Sequence, residues 1–119
     1  MGIANENGRI GEQVAMKFLI KKGYEIEGLN YRSPFGEIDI IASYDEYIVF
    51  VEVKTRLQNS DFLARDAVTY SKECKIISTA DQYLSANDCE KQPRFDIIEV
   101  YLPRIQGEKI KVHHIENAF

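Results

Sequence analysis

Two short runs gather the residues able to do chemistry, GEIDIIA (Gly36 to Ala42) and FVEVKTR (Phe50 to Arg56). Read as strands, period two puts Glu37 and Asp39 on one face, with Ile38 and Ile40 on the other. In the second run Phe50, Glu52 and Lys54 share a face, opposite Val49, Val51 and Val53. Neighbours this apolar place the strand inside a sheet. An interior carboxylate needs a partner or a cation, because stripping its water is costly. With Asp45 and Glu46 as a two-residue hairpin loop, Tyr44 faces Tyr47 and Asp39 faces Glu52, their Cβ atoms about 5 Å apart. Two carboxylates that close repel in water-poor surroundings, and a divalent cation removes the conflict. Mg²⁺ suits such a site, since it takes oxygen ligands and keeps several waters. Lys54, on the same face, can orient or help deprotonate a water, or stabilise phosphoryl charge. Acid, acid and lysine together suit metal-assisted phosphodiester hydrolysis. The plainer alternative for Glu52 and Lys54 alone is a salt bridge on a solvated face.

The elements that must position these residues follow from periodicity and turn chemistry. Ile10, Val14, Phe18 and Leu19 recur at helical spacing and predict a helix over Glu6 to Lys22. Asn5 or Asn7 can cap it and Gly23 can end it. Tyr24 to Tyr31 reads as a first strand, closed by a turn at Ser33, Pro34, Phe35 and Gly36. Glu37 to Tyr44 and Tyr47 to Lys54 read as a hairpin, although its turn lacks a glycine. A polar loop from Arg56 to about Asp66 leads to a second helix over Ser71 to Ser85. Its inner face is Ile76, Ile77, Ala80, Tyr83 and Leu84. After a loop at Asn87 to Pro93, two strands are expected, Arg94 to Leu102 and Lys109 to Ile115. The order α, β, β, β, α, β, β implies one α/β domain over residues 1–119, a mixed sheet with helices against it.

Composition limits the function classes. The chain has 119 residues, 45% of them hydrophobic and 29% charged, which fits one soluble globular domain. No run approaches the length of a membrane span, and the N-terminus lacks the pattern of a secretory signal. Cys74 and Cys89 show no metal-ligand spacing, and reduced thiols in the cytoplasm are expected. The net charge of −4 is evenly spread. Residues 1 to 60 hold seven Lys or Arg against nine Asp or Glu, and the remainder eight against ten. That speaks against binding nucleic acid by bulk electrostatics. It leaves room for a basic rim around an acidic site.

Glu12 lies at the margin of the first helix's apolar stripe, able to reach toward the sheet. A dipole-favoured acid in the first turns is the equal alternative. Arg9, Arg56 and Lys72 are candidates for phosphate contacts, with surface solubility as the alternative for each. Arg94 with Asp96 reads as a structural ion pair. The adjacent His113 and His114 point to opposite faces of a strand and so form no ligand pair.

The chain resembles the PD-(D/E)XK nuclease superfamily and, more closely, the uncharacterised YraN family within it. The resemblance is carried by GRIGEQVA (Gly8 to Ala15), LIKKGY (Leu19 to Tyr24), NYR (Asn30 to Arg32), GEIDIIA, FVEVKTR, AVTYSK (Ala67 to Lys72), RFD (Arg94 to Asp96) and the closing NAF. It implies a restriction-endonuclease-like fold, with Asp39, Glu52 and the Val53 carbonyl holding Mg²⁺ or Mn²⁺ and Lys54 as the catalytic lysine. The layout is also similar to archaeal Holliday-junction resolvases, which implies that Glu12 joins the site. The chain departs from the family pattern at the rim, lacking a glycine in Leu57 to Asp66. The activity so implied is Mg²⁺-dependent cleavage of DNA phosphodiesters, at branched or irregular DNA, with a homodimer if two sites are cut. The alternative is a non-catalytic nucleic-acid-binding or adaptor protein that keeps the fold. A purely structural domain is the weakest reading.

Overall fold

A computed structural model describes residues 3–58 and 69–119, with side chains from Glu6 onward. Its elements run α1 (Ile3–Lys21), β1 (Glu25–Ser33), β2 (Gly36–Tyr44), β3 (Tyr47–Leu57), α2 (Tyr70–Ala86), β4 (Gln92–Leu102) and β5 (Lys111–Ile115). The strands lie in one sheet in chain order, β1 to β5. Only β3 and β4 pair in parallel, and α2 lies between them in the chain; the other neighbours are antiparallel. This is one α/β domain with a mixed sheet, as the order of elements predicts.

Local chemistry explains most boundaries. Gly23, at φ 99°, ends α1. Its N–H donates to the Ile20 carbonyl at 3.0 Å, and that of Tyr24 to Leu19 at 2.9 Å. These are the two bonds of a Schellman cap, which needs a left-handed residue there. In the β2–β3 turn Tyr44 pairs with Tyr47 as expected. Asp45, at φ 55°, takes the left-handed position that a glycine would normally fill. Thr69 caps α2, its hydroxyl accepting from the Lys72 N–H at 3.2 Å.

Some boundaries differ from the sequence reading. Helix α1 starts at Ile3, so Asn5 and Asn7 lie inside it instead of capping it. Strand β3 runs on to Leu57 because its full length pairs with β4, which puts Arg56 in the sheet. Of the expected loop from Arg56 to Asp66, residues 59–66 lie outside the described residues.

The sheet is covered on both faces. Against α1 lies a core of Ala15, Leu19, Ile40, Val49, Val51, Ile98 and Val100, all at 0–1% exposure. Against α2 lie Ile38, Ile41, Ile48 and Phe50 with Ile76 and Ala80. Ile38 and Ile40 are therefore on opposite faces, not the shared face that strict alternation predicts. The switch occurs at Asp39. On β1, Leu29 pairs with Ile40 and Tyr31 with Ile38, so Asn30 lies level with Asp39. Asn30 has φ 51°, and a left-handed residue in a strand breaks the pleat and adds twist.

Candidate active site

The β2–β3 ladder stops at Ile40 and Val51. One residue further on, where the sequence reading set Asp39 opposite Glu52, the Asp39 side chain turns into the gap. Its Oδ2 accepts from the Val53 N–H at 2.8 Å. Glu52 alternates with the valines onto the same side as Phe50, facing α2. Two residues of this side supply its counter-charges. Lys72 Nζ, from the first turn of α2, lies 2.6 Å from Glu52 Oε1, and Lys54 Nζ lies 3.8 Å from the same oxygen.

Glu12 reaches the gap from α1. The helix comes close because residue 11 is glycine: a Cβ there would sit well inside van der Waals contact with Thr55 Oγ1. Glu12, Asp39, Glu52, Val53, Lys54 and Lys72 line one trough of about 430 Å³. A second trough of about 480 Å³ shares Asp39, Glu52 and Lys72 and extends past Glu37 to Thr69 and Lys75. The two share these residues where β2 and β3 part within the sheet.

Burial pushes the Asp39 carboxyl up to about 8, reinforced by Glu52 and Glu12 and opposed by the Val53 N–H. Burial also raises Glu12, with Glu37 and Glu52 adding to it and a bond from Asn30 opposing it. For Lys72, burial alone would lower the ammonium, but the contact with Glu52 outweighs it and the result is raised. The trough thus holds more acid than its burial favours. That is the electrostatic state a divalent cation relieves.

Among the described residues no group of three or more His, Cys, Asp or Glu forms a ready-made metal cage. The donors present are two converging carboxylates with Glu12 nearby, all hard oxygen. They suit an ion that keeps several waters, as Mg²⁺ and Mn²⁺ do.

The family model described as Uncharacterised protein family UPF0102 matches residues 11–100. The chain belongs to the UPF0102 family. It is 49% identical to a UPF0102 protein of Caldanaerobacter subterraneus subsp. tengcongensis over 113 residues, covering 94% of this chain and 93% of that protein. It is 46% identical to a UPF0102 protein of Alkaliphilus oremlandii, covering 94% and 96%. The corresponding protein of Clostridioides difficile is 44% identical, with 96% of each chain covered. The stretch matching the UPF0102 model contains Glu12, Asp39, Glu52, Val53, Lys54, Arg56 and Lys72.

Two other predicted residues of this UPF0102 chain do not line the two troughs. Arg9 is exposed on α1, in a 220 Å³ side pocket that also takes in Glu12 and Asn30. Arg56 is buried, its Nη2 donating to Glu99 Oε2 at 3.2 Å. The trough does not include it. Burial would raise Glu99, but bonds from His113 and Tyr101 and the Arg56 charge outweigh it and hold the carboxyl low.

Arg94 and Asp96 form the structural pair that was expected, with Nε at 3.0 Å and Nη2 at 2.8 Å from the carboxylate. His114 Nε2 lies 2.7 Å from Asp96, while His113 Nδ1 lies 3.1 Å from Glu99, so the histidines do point apart. Both cysteines are free thiols. Among the described residues no helix is long and apolar enough to cross a membrane.

Sequence reasoning gave no role to Asn30 or Gly11. Both stand in quoted motifs, NYR and GRIGEQVA. The signal for Asn30 is a residue tolerant of left-handed backbone in the middle of a strand. For Gly11 it is a glycine at an inward-facing helical position, where propensity alone disfavours it.

Proposed function

We propose that this UPF0102 protein is a metal-dependent endonuclease that hydrolyses DNA phosphodiester bonds. The fold is then of the restriction-endonuclease-like, PD-(D/E)XK type, and branched or irregular DNA is the preferred substrate. The observation that carries the reading is the convergence of Asp39 and Glu52 at the end of the β2–β3 ladder, with Lys54 and Lys72 on Glu52. Acids split between two strands and flanked by lysines make a poor structural ion-pair network, because Asp39 stays protonated near neutral pH without a cation.

Asp39, Glu52 and Val53 would hold Mg²⁺ or Mn²⁺. When bound, the ion supplies Lewis acidity at the phosphoryl group and a more acidic water. Lys54 orients that water and faces the charge that develops on the phosphoryl oxygens. Lys72 and Arg9 meet the backbone phosphates. Glu12 accepts hydrogen bonds from water on the α1 side. Water adds to phosphorus as the bond to the departing sugar oxygen breaks, and the water's proton ends on that oxygen. Cleavage of both strands of a branched substrate calls for a homodimer, and the site of action is the cytoplasm.

Calorimetric titration with Mg²⁺ and Mn²⁺ is the first test, followed by incubation with linear, nicked and four-way-junction DNA with and without metal. Metal binding that Asp39→Asn abolishes, and metal-dependent cleavage, are the expected results. No metal binding at millimolar concentration would overturn the reading. The acidic net charge of −4 favours a second reading, an adaptor that binds nucleic acid without cutting it. DNA binding indifferent to metal, with every substrate left intact, would support that one.

A further inference from the structure

The crowding of acids where β2 and β3 part is relieved from a direction the lysines do not cover. Glu12 of α1 and Glu37 of β2 both turn toward Asn30 of β1. With its carboxamide nitrogen facing them, Asn30 donates to Glu37 Oε1 at 3.0 Å and to Glu12 Oε1 at 3.1 Å. Ionised carboxylates only accept, and an amide nitrogen carries two hydrogens, so one side chain serves both. Arg32 Nε, 3.1 Å from Glu37 Oε2, fixes the second acid from its far side. Glu12 is thereby tied to the sheet and not left to swing on its helix.

The backbone of Asn30 has its own part. At φ 51° it occupies the left-handed region, where asparagine is among the few non-glycine residues found readily. Its neighbours take opposite faces: Leu29 lines a pocket with Met16 of α1, while Tyr31 packs with the core beneath α2. Level with it, Ile38 and Ile40 divide in the same way around Asp39. Both strands turn over at one level. That turn aims the Asp39 carboxylate along the sheet to Val53 and away from either face.

We propose that Asn30 is a positioning residue of the candidate site. Its carboxamide holds Glu12 at the trough, and its left-handed backbone sets the twist that delivers Asp39 to the metal position. The proposal rests on the metal-site reading. Groups that orient ligands without touching the ion typically change metal affinity by about 10- to 100-fold when removed.

The test is Mn²⁺ calorimetry at fixed pH on the full chain, combined with thermal unfolding. Asn30→Gly keeps the left-handed backbone accessible and removes the side chain with its carboxamide. It should weaken Mn²⁺ binding about tenfold while leaving the unfolding midpoint close to that of the unaltered protein. In a Glu12→Ala background, which removes the accepting oxygen, the same change should cost far less, because the amide acts through Glu12. Asn30→Val removes both the amide and the left-handed tolerance, and should weaken binding further than Asn30→Gly.

A lowered midpoint with unchanged Mn²⁺ affinity in Asn30→Gly would reduce Asn30 to a structural role and overturn the proposal. An equal loss in the Glu12→Ala background would do the same for action through Glu12. Either result leaves the metal site standing. Failure of the unaltered chain to bind Mn²⁺ would overturn the metal-site reading, and this proposal with it.

Discussion

Asp39 Oδ2 takes the Val53 amide hydrogen at 2.8 Å, just past Ile40 and Val51, the last paired residues of β2 and β3. A side-chain oxygen thus continues the hydrogen bonding where the backbone ladder ends. One carboxylate oxygen is committed to the sheet and the other is left for the trough. Burial with Glu52 and Glu12 pushes the group up to about 8, so a cation arriving at neutral pH must displace its proton. Mn²⁺ affinity should therefore rise with pH and level off above about 8, by up to about tenfold per unit below that. Calorimetry near neutral pH, in two buffers of unlike ionisation enthalpy, should register close to one proton released per ion. Asp39→Asn should bind no ion and release no proton. An affinity that ignores pH across this range would refute the assignment of Asp39 as a ligand.

The same carboxyl sets a stability trend in the metal-free protein. Its folded pKa of about 8 stands above the ordinary value of 3.8, so the native state holds the proton more tightly than the unfolded chain. The sign follows from linkage: the contribution is fully present below the ordinary value and is lost as pH rises through about 8. Asp39→Asn cannot ionise and escapes this loss. In urea unfolding without metal, its stability relative to the unaltered chain should climb as pH rises from the ordinary carboxylate range to about 8, and level off above it. The gain should be on the order of 1 kcal/mol or more. A difference that stays flat with pH would contradict the raised carboxyl.

At the proposed metal site Lys72 and the ion would compete for one oxygen, Glu52 Oε1, which the ammonium approaches to 2.6 Å. Removing the side chain should have opposite effects on two ligands. Lys72→Ala should bind Mn²⁺ a fewfold more tightly, since no ammonium need be displaced. It should bind DNA more weakly and with a salt slope smaller by about one, as expected when one phosphate contact is lost. Calorimetry reads the first and DNA-binding titrations at several salt concentrations the second. Weakened binding of both would assign Lys72 to holding Glu52 in place.

How much of this was legible in the sequence depends on how local the cause is. Hairpin register from Tyr44 and Tyr47, the cap at Gly23 and the Arg94–Asp96 pair follow from a few adjacent residues, and strand or helix periodicity carries them. The face of Ile38 does not. Alternation propagates only through regular strand, and the left-handed Asn30 on the neighbouring strand breaks it. The environment of Arg56 was hidden for a related reason. Its partner Glu99 lies on β4, beside β3 only because the chain crosses over to a parallel strand, which no spacing within FVEVKTR reveals. The acids and lysines of the trough were legible because three of them lie within sixteen residues on two paired strands. Lys72, from a helix, could be suspected but not placed.

Asp96, on β4 level with Val51 but outside the trough's lining, is fully buried and receives Arg94 twice, His114 Nε2 at 2.7 Å and the Asn117 N–H at 2.9 Å. Burial alone would raise this carboxyl, but the bonds from His114, Arg94 and Asn117 outweigh it and the result is lowered. Its contribution to stability is therefore present above the ordinary carboxylate value and is lost as pH falls through the lower folded one. Arg94→Met strands the charge and should cost about 3–5 kcal/mol in urea unfolding at neutral pH. Paired replacement of Arg94 and Asp96 by apolar residues of similar size should cost less than Arg94→Met alone. A loss below about 1 kcal/mol for the single change would mean that Asp96 keeps its partners without the guanidinium.

Gly11 sets how near Glu12 comes to the trough and to the proposed metal position. A Cβ at this site would collide with Thr55 Oγ1 and crowd Thr55 Cβ, so α1 would have to lift away from β3. Overpacking of this kind costs about 1–3 kcal/mol, more than the helix propensity that alanine returns. Gly11→Ala should therefore lower the urea midpoint and, by moving Glu12 outward, weaken Mn²⁺ binding. Thr55→Ala in the same chain removes the hydroxyl that is struck first, and should restore part of both. If Gly11→Ala left Mn²⁺ affinity intact while destabilising the fold, Glu12 would act independently of how closely its helix packs. If the double variant recovered stability but not metal affinity, Thr55 itself would belong to the site.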